Sequence, residues 1–448
     1  MPHNIILVGI GGTGSKSVES AIHWASVGNG LNIYPIIIDQ DKENGNIQRL
    51  EKVINAYKIL YELNNSINDK FFANKIEKLG DLLPIAPINE DINFKSAIEQ
   101  SNMHNDEQFV LDALYTNNQL LDSIKNQGFK KRAHMGSLLF ERFINDQEKL
   151  TGSGKGLKSL IEKLKSENNN VFIFASLFGG TGLSGFTNLG NFFKNNLPNS
   201  IINVVLYTPY FKIKEGKVEE NPDAAIVKSD YDMLATKIAL MIYRDKIFEI
   251  FDRIFLIGSD LKSLGEDYPT SQPFYYGKNQ ENKSHLFEFI VGSIIHNKEF
   301  LKHEQNKKGI NELYNFVIDS KDSPPISVGG DLFRYIKLDN GIRDSFFQLI
   351  NFAKLLCEAE KFNIDWWERQ PWCKMEDRSH LINWAKLFYE KWYLEMSKWD
   401  KFKFILEDNY LVDTFKMSKY LSNKLGKYLP NLSNILTALS KINKIKTR

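Results

Sequence analysis

The chain is poor in the residues that staple small or secreted proteins. It holds 2 cysteines in 448 residues, Cys357 and Cys373. Two thiols cannot build a disulfide scaffold, and their spacing fits no metal-ligand pattern, so no metal site is expected. No apolar run is long enough to cross a bilayer, which excludes a membrane span of the helical kind. Neither sign of charge prevails: 57 basic against 55 acidic side chains leave a net charge of +2, which singles out no class of partner. Met1-Pro2-His3 runs straight into a strand-like segment, so no secretory leader is expected and the expected compartment is the cytoplasm. Internal repeats, coiled-coil heptads and a Ser/His/Asp set are lacking as well.

What is present is an alternation of short apolar runs with helical spacing. Ile5-Ile6-Leu7-Val8, Ile33 to Ile38, Val171 to Ala175, residues 201 to 207 and residues 253 to 258 read as buried strands. Between them Val18, Ala21, Ile22 and Ala25 recur at one helical face, and residues 137 to 147 and 222 to 250 carry the same period. Continuous apolar strands separated by helices imply an α/β fold with a parallel sheet covered on both faces. At this length two or three domains are expected. Residues 1 to 281 would form the α/β domain, and 282 to 340 a helix at about 284 to 300 with a small α+β unit, with short strands at 313–319, 325–328 and 332–337. Residues 341 to 448 would form a helical region. Its tryptophans, Trp366, Trp367, Trp372, Trp384, Trp392 and Trp399, read as a helical core. Beyond Asp413 only basic side chains follow, Lys416 to Arg448, either a solvated face or a contact for an acidic protein or nucleic acid.

Two glycine loops carry the chemistry. Gly9-Ile10-Gly11-Gly12-Thr13-Gly14-Ser15 follows the first strand, and Phe178-Gly179-Gly180-Thr181-Gly182-Leu183-Ser184-Gly185 follows the strand at 171. Strand, glycine turn and helix N-terminus make an anion seat, because unpaired N–H groups and the helix dipole converge on the ligand. Two such seats suggest one polyphosphate held from both sides. A Walker A reading fails, since Lys16 comes one residue late and Gly154-Lys155 is followed by Gly156. A dinucleotide reading could use Asp39 for a ribose hydroxyl but leaves the second loop without a task. The first loop together with Asp39-Gln40-Asp41 and Asn46-Ile47-Gln48-Arg49 resembles the ATP site of ThiF-like adenylyltransferases, over residues 5 to 50. That resemblance implies acids on ribose and metal and an arginine on phosphate.

The second loop resembles the signature G-G-G-T-G-S/T-G of the tubulin and FtsZ family, with Phe178 in place of the first glycine and Leu183 inserted before Ser184-Gly185. Other parts follow in the family's order. The first loop matches the opening G-x-G-G-x-G. Arg132-Ala133-His134-Met135-Gly136-Ser137 resembles the third phosphate loop, and Val204 to Tyr210, with Pro209, the strand and proline loop beside the ribose. Asp252 to Asp260 resembles the last strand of that domain, and Asn282, or Asn279, stands where an asparagine reads guanine at the head of the central helix. The resemblance spans residues 4 to 300 and implies a Rossmann-like tubulin/FtsZ-type domain that binds GTP or GDP with Mg2+. It also implies head-to-tail self-assembly of a prokaryotic cytoskeletal kind. Asn-x-Asp-x-x-Asp does not occur after the helix, and Glu299, Glu304 and Glu312 replace it by no matching spacing. GTP binding is therefore expected above efficient hydrolysis. Asp39 and Asp41 could otherwise form a strand-end turn, His134 a loop residue and His23 a core or surface residue.

Overall fold

The computed structural model describes residues 3–28, 30–41, 43–64, 71–78, 83–85, 93–99, 103–117, 129, 133–149, 157–211, 229–259, 281–301, 312–318, 339–361, 375–396 and 398. In chain order these give β1 (His3–Ile10), α1 (Gly11–Trp24), β2 (Leu31–Ile38), α2 (Gly45–Asn64), β3 (Lys75–Ile76), α3 (Asn105–Leu114), α4 (Ala133–Lys149) and α5 (Leu157–Leu164). Then follow β4 (Asn169–Ser176), α6 (Gly180–Asn196), β5 (Ser200–Tyr207), α7 (Ser229–Ile250), β6 (Arg253–Ser259), α8 (Leu286–Ser293), β7 (Glu312–Ile318), α9 (Asn340–Lys361) and α10 (Met375–Ala385). α10 runs on through a π-helical stretch, Lys386–Tyr393, to Met396.

The strands form one sheet in the order β3-β2-β1-β4-β5-β6-β7, parallel throughout. This is the doubly wound order, extended by a strand at the β6 edge. Strand side chains alternate between two cores, as a period of two requires. Ile5, Leu7, Phe172, Phe174, Val205 and Tyr207 face α1, α2, α8, α9 and α10. Ile6, Val8, Val171, Ile173, Val204 and Leu206 face α4 to α7. Both faces are covered, which is why the strands read as continuous apolar runs.

β3 is too short to be visible as a pattern, and Pro35 shows why it stops. The Ile33 and Ile37 carbonyls accept from Glu77 N and Leu83 N on the outer edge of β2. Pro35 lies between them in the same phase and has no N–H for an outer partner, so the ladder with β3 ends at Ile33.

Beyond the expected break at residue 282, the one described strand opens no sheet of its own: β7 joins the first sheet beside β6. Nor is the central helix long. α8 has 8 residues, continues as a tight turn over Ile294–His296 and is interrupted at the extended Asn297. All of α8 is buried; its apolar side chains enter the core and its one acid, Glu288, is paired with Lys16. Its backbone approaches α1 closely: a Cβ on Gly292 would lie 2.7 Å from the Ser20 carbonyl carbon. Trp24 Nε1 donates to the Phe289 carbonyl at 3.0 Å across the same contact. α9 and α10 close over this layer in one shared core. Trp384 and Trp392 are part of it, as expected, while Trp366, Trp367, Trp372, Trp399, Cys373, the strands at 325–328 and 332–337 and the basic tail lie outside the described residues. No described helix is long and apolar enough to cross a membrane.

Candidate functional site

β1 and β4 are neighbours at the centre of the sheet, and the chain leaves them in opposite directions. Their carboxyl ends thus flank the crevice that such a reversal of strand order creates. Each strand runs almost directly into a helix. α1 begins at Gly11 with Ile10 before it, α6 begins at Gly180 with Gly179 before it, and neither preceding residue caps the helix with a side chain. Neither first turn carries an acid. Neither set of leading N–H groups is capped by the residue before it, both are turned to one crevice, and both helix dipoles favour an anion there.

The glycines divide by task. Gly11 has a φ of 69°, in the left-handed region that favours glycine, and a Cβ there would lie 3.3 Å from Thr181 Cβ, so the two turns touch. Gly12, Thr13, Gly179, Gly180 and Thr181 are partly exposed and line the opening. Gly9 and Gly14 are packing residues: a Cβ on Gly14 would sit 2.7 Å from the Phe174 carbonyl oxygen and 2.8 Å from the Gly9 carbonyl carbon. Gly182 presses on Ser176 in the same manner, at 2.7 Å from its amide nitrogen. Ser15 is buried and its hydroxyl donates back to the Gly11 carbonyl at 2.9 Å.

Three expected phosphate residues hold helices together instead. Gly185 lies against the Phe140 ring and Gly136 against Ser184, where α4 crosses α6. Ser184 Oγ bonds to the Ala133 and Gly180 carbonyls at 3.0 and 2.5 Å. A glycine just inside a helix serves close helix approach as readily as anion binding, and their spacing carried no sign of which. His134, in the same segment, is exposed and stacks on Tyr115. Pro209 is buried at the end of β5, one strand beyond the second loop.

Asp39, at the end of β2, joins the crevice. Its Oδ1 accepts from Gln40 N at 2.8 Å and from Thr181 Oγ1 at 3.3 Å. Burial first, and then the neighbouring Asp41, push its pKa up to about 7. Asp41 is buried beside it and accepts from Glu43 N at 3.1 Å. On the far side of Gly12 lie amides. A Cβ on Gly12 would meet Asn46 Nδ2 at 3.1 Å and Asn44 Nδ2 at 3.2 Å. Asn282 N donates to Asn46 Oδ1 at 2.7 Å, which brings the segment before α8 to the first loop. Asn44 and Ser176 were missed from sequence; the sign available for Asn44 is an asparagine just ahead of a helix start, where its side chain accepts from Asn46 N at 3.0 Å.

Arg49 departs from the phosphate role expected of it. It is buried and donates to Glu19 Oε2, Glu395 Oε2 and Ser284 Oγ, each at 2.9 Å. Burial alone would raise the Glu19 carboxyl, but Arg49, with His23, outweighs it and holds Glu19 below the usual range. Lys16 is committed too, at 2.6 Å from Glu288 and 2.7 Å from the Lys283 carbonyl, consistent with the failed Walker A pattern. His23 is a buried core residue between Phe388 and Trp392. Among the described residues no group of three or more His, Cys, Asp or Glu side chains could hold a metal ion by itself.

The sequence matches no protein-family model and no curated protein. Among solved structures, CetZ from Methanosaeta thermophila strain DSM 6194 aligns over 58% of this chain and 46% of its own, at 13% identity and a TM-score of 0.28. The match thus spans less than half the length of that protein.

Proposed function

We propose that this chain binds GTP or GDP in the crevice between the two glycine turns and assembles head to tail under nucleotide control. One observation carries the reading: two uncapped helix N-termini, from adjacent central strands, meet at Gly11 and Thr181. A single anion seat would serve a monophosphate; two facing seats suit a polyphosphate. Guanine is supported by the Gly-Gly-Thr-Gly core of the second loop and by Asn282 beside the first. Mg2+ takes most of its ligands from phosphate and water and needs one or two carboxylates, which Asp39 and Asp41 would supply. When bound it would neutralise the phosphate oxygens. Hydrolysis is slow on this reading, because the segment after α8 lacks the water-positioning acids. Subunits that meet head to tail form an open polymer.

The nucleotide that copurifies decides the base. GTP or GDP is expected; ATP or AMP would put the adenylylating reading in its place. Gly12→Val fills the crevice against the Asn44 and Asn46 amides, the nearest atoms to a Cβ there, rather than against backbone. It is expected to weaken GTP binding about tenfold or more, the loss of at least one charge-assisted hydrogen bond, while melting near wild type. GTP should also raise light scattering of the full chain. No rise over a wide range of protein concentration leaves a nucleotide-binding module that does not polymerise.

A further inference from the structure

The segment just before α8 is held from four directions. Asn282 N is held by Asn46, beside Gly12. The Lys283 carbonyl is held by Lys16 of α1. Ser284 Oγ accepts from Arg49 of α2. The fourth tether comes from the end of the chain's last described helix: Ser284 N donates to Glu395 Oε2 at 3.0 Å. The same oxygen accepts from Arg49 at 2.9 Å. Glu281 adds a weaker tie, 3.6 Å from Lys391 one turn earlier in that helix.

Glu395 is not needed to neutralise Arg49, because Glu19 already lies 2.9 Å from its Nε. A second buried carboxylate on one guanidinium costs desolvation. Its other partner is a backbone N–H in the segment that carries Asn282, so the bond fixes a position as well as a charge. The path from Glu395 to the crevice is two hydrogen bonds joined by two steps of backbone: Glu395 to Ser284, along the chain to Asn282, and on to Asn46, with Gly12 against the last.

We propose that Glu395 is a positioning residue of the nucleotide site, and that through it nucleotide binding and the docking of the C-terminal helices are coupled. This rests on the nucleotide reading above. Coupling is reciprocal: if seating Glu395 aligns Asn282 for the nucleotide, the nucleotide must stabilise the seating of Glu395 by the same factor.

The test titrates full-length protein with a fluorescent mant-GTP. Glu395→Gln keeps the shape but weakens both bonds, and its affinity is expected to fall about tenfold, within the usual range for coupled sites. Glu360→Gln, which removes the surface pair with Lys386 in the same helical layer, should bind as wild type. In wild type, saturating GTP should slow amide hydrogen exchange over residues 386 to 396. Equal affinity of Glu395→Gln and wild type, or no change in that exchange, overturns the coupling while the nucleotide site stands. Should Glu395→Gln fail to fold, the wild-type exchange measurement decides alone. A wild-type protein that binds no mant-GTP overturns the nucleotide reading and the coupling together.

Discussion

Asp39 is the residue whose chemistry most depends on its place in the fold. Free aspartate titrates near 3.8, and burial beside Asp41 brings Asp39 to about 7. The fold therefore favours the protonated form. The stability this contributes is full below pH of about 4 and is lost as pH rises through about 7. Asp39→Asn keeps an acceptor for Gln40 N and removes the charge. It is expected to melt above wild type at pH 8, with the gap closing towards pH 4; calorimetry across that range measures it, and a gap independent of pH would mean that Asp39 is not the titrating group. That Asp39 belongs to the crevice was legible, since a polar residue at the end of a buried strand beside glycine turns has a local signature. The task of Arg49 was not. Its partners Glu19 and Glu395 lie in other elements, and only the packed molecule brings them together.

At the scale of elements, α1 connects the crevice to the C-terminal helices. Its first turn is Gly11 to Gly14, and its last residue, Trp24, stacks on Phe346 of α9 with ring centroids 3.8 Å apart at 15°. Phe346 also meets Phe289, Phe388 and Trp392, so one ring joins α1, α8, α9 and the helix that ends at Met396. Phe346→Ala is expected to cost about 3–5 kcal/mol, read from denaturant unfolding. A cost under 1 kcal/mol would mean that these helices are held on mainly by other contacts. Element types were legible wherever the periodicity was long, as in β1, α1, β4 and β5. They were not legible at β3, where two residues make no pattern, nor at Asn297, where the helix stops without proline or glycine.

For the whole molecule the arrangement predicts a linkage between ligand and stability. A nucleotide bound only by the folded chain, at a concentration a hundred times its Kd, should stabilise it by about 2.7 kcal/mol. GTP is expected to raise the melting temperature accordingly, and ATP at equal concentration is not. Equal shifts from both would show that phosphate, and not base, is what the crevice reads.

The position of β1 and β4 also sets when a site can exist. Gly9 pairs with Phe174, and neither turn is complete without the other. A growing chain that has made β1, α1 and β2 holds one glycine turn exposed, with Gly11 lacking its contact to Thr181. Until residue 181 emerges there is no crevice, so a nascent chain that has made only β1 to β4 offers one turn and no facing partner. A ligand of the crevice would therefore arrive late, able to favour the completed sheet but not to template its first strands.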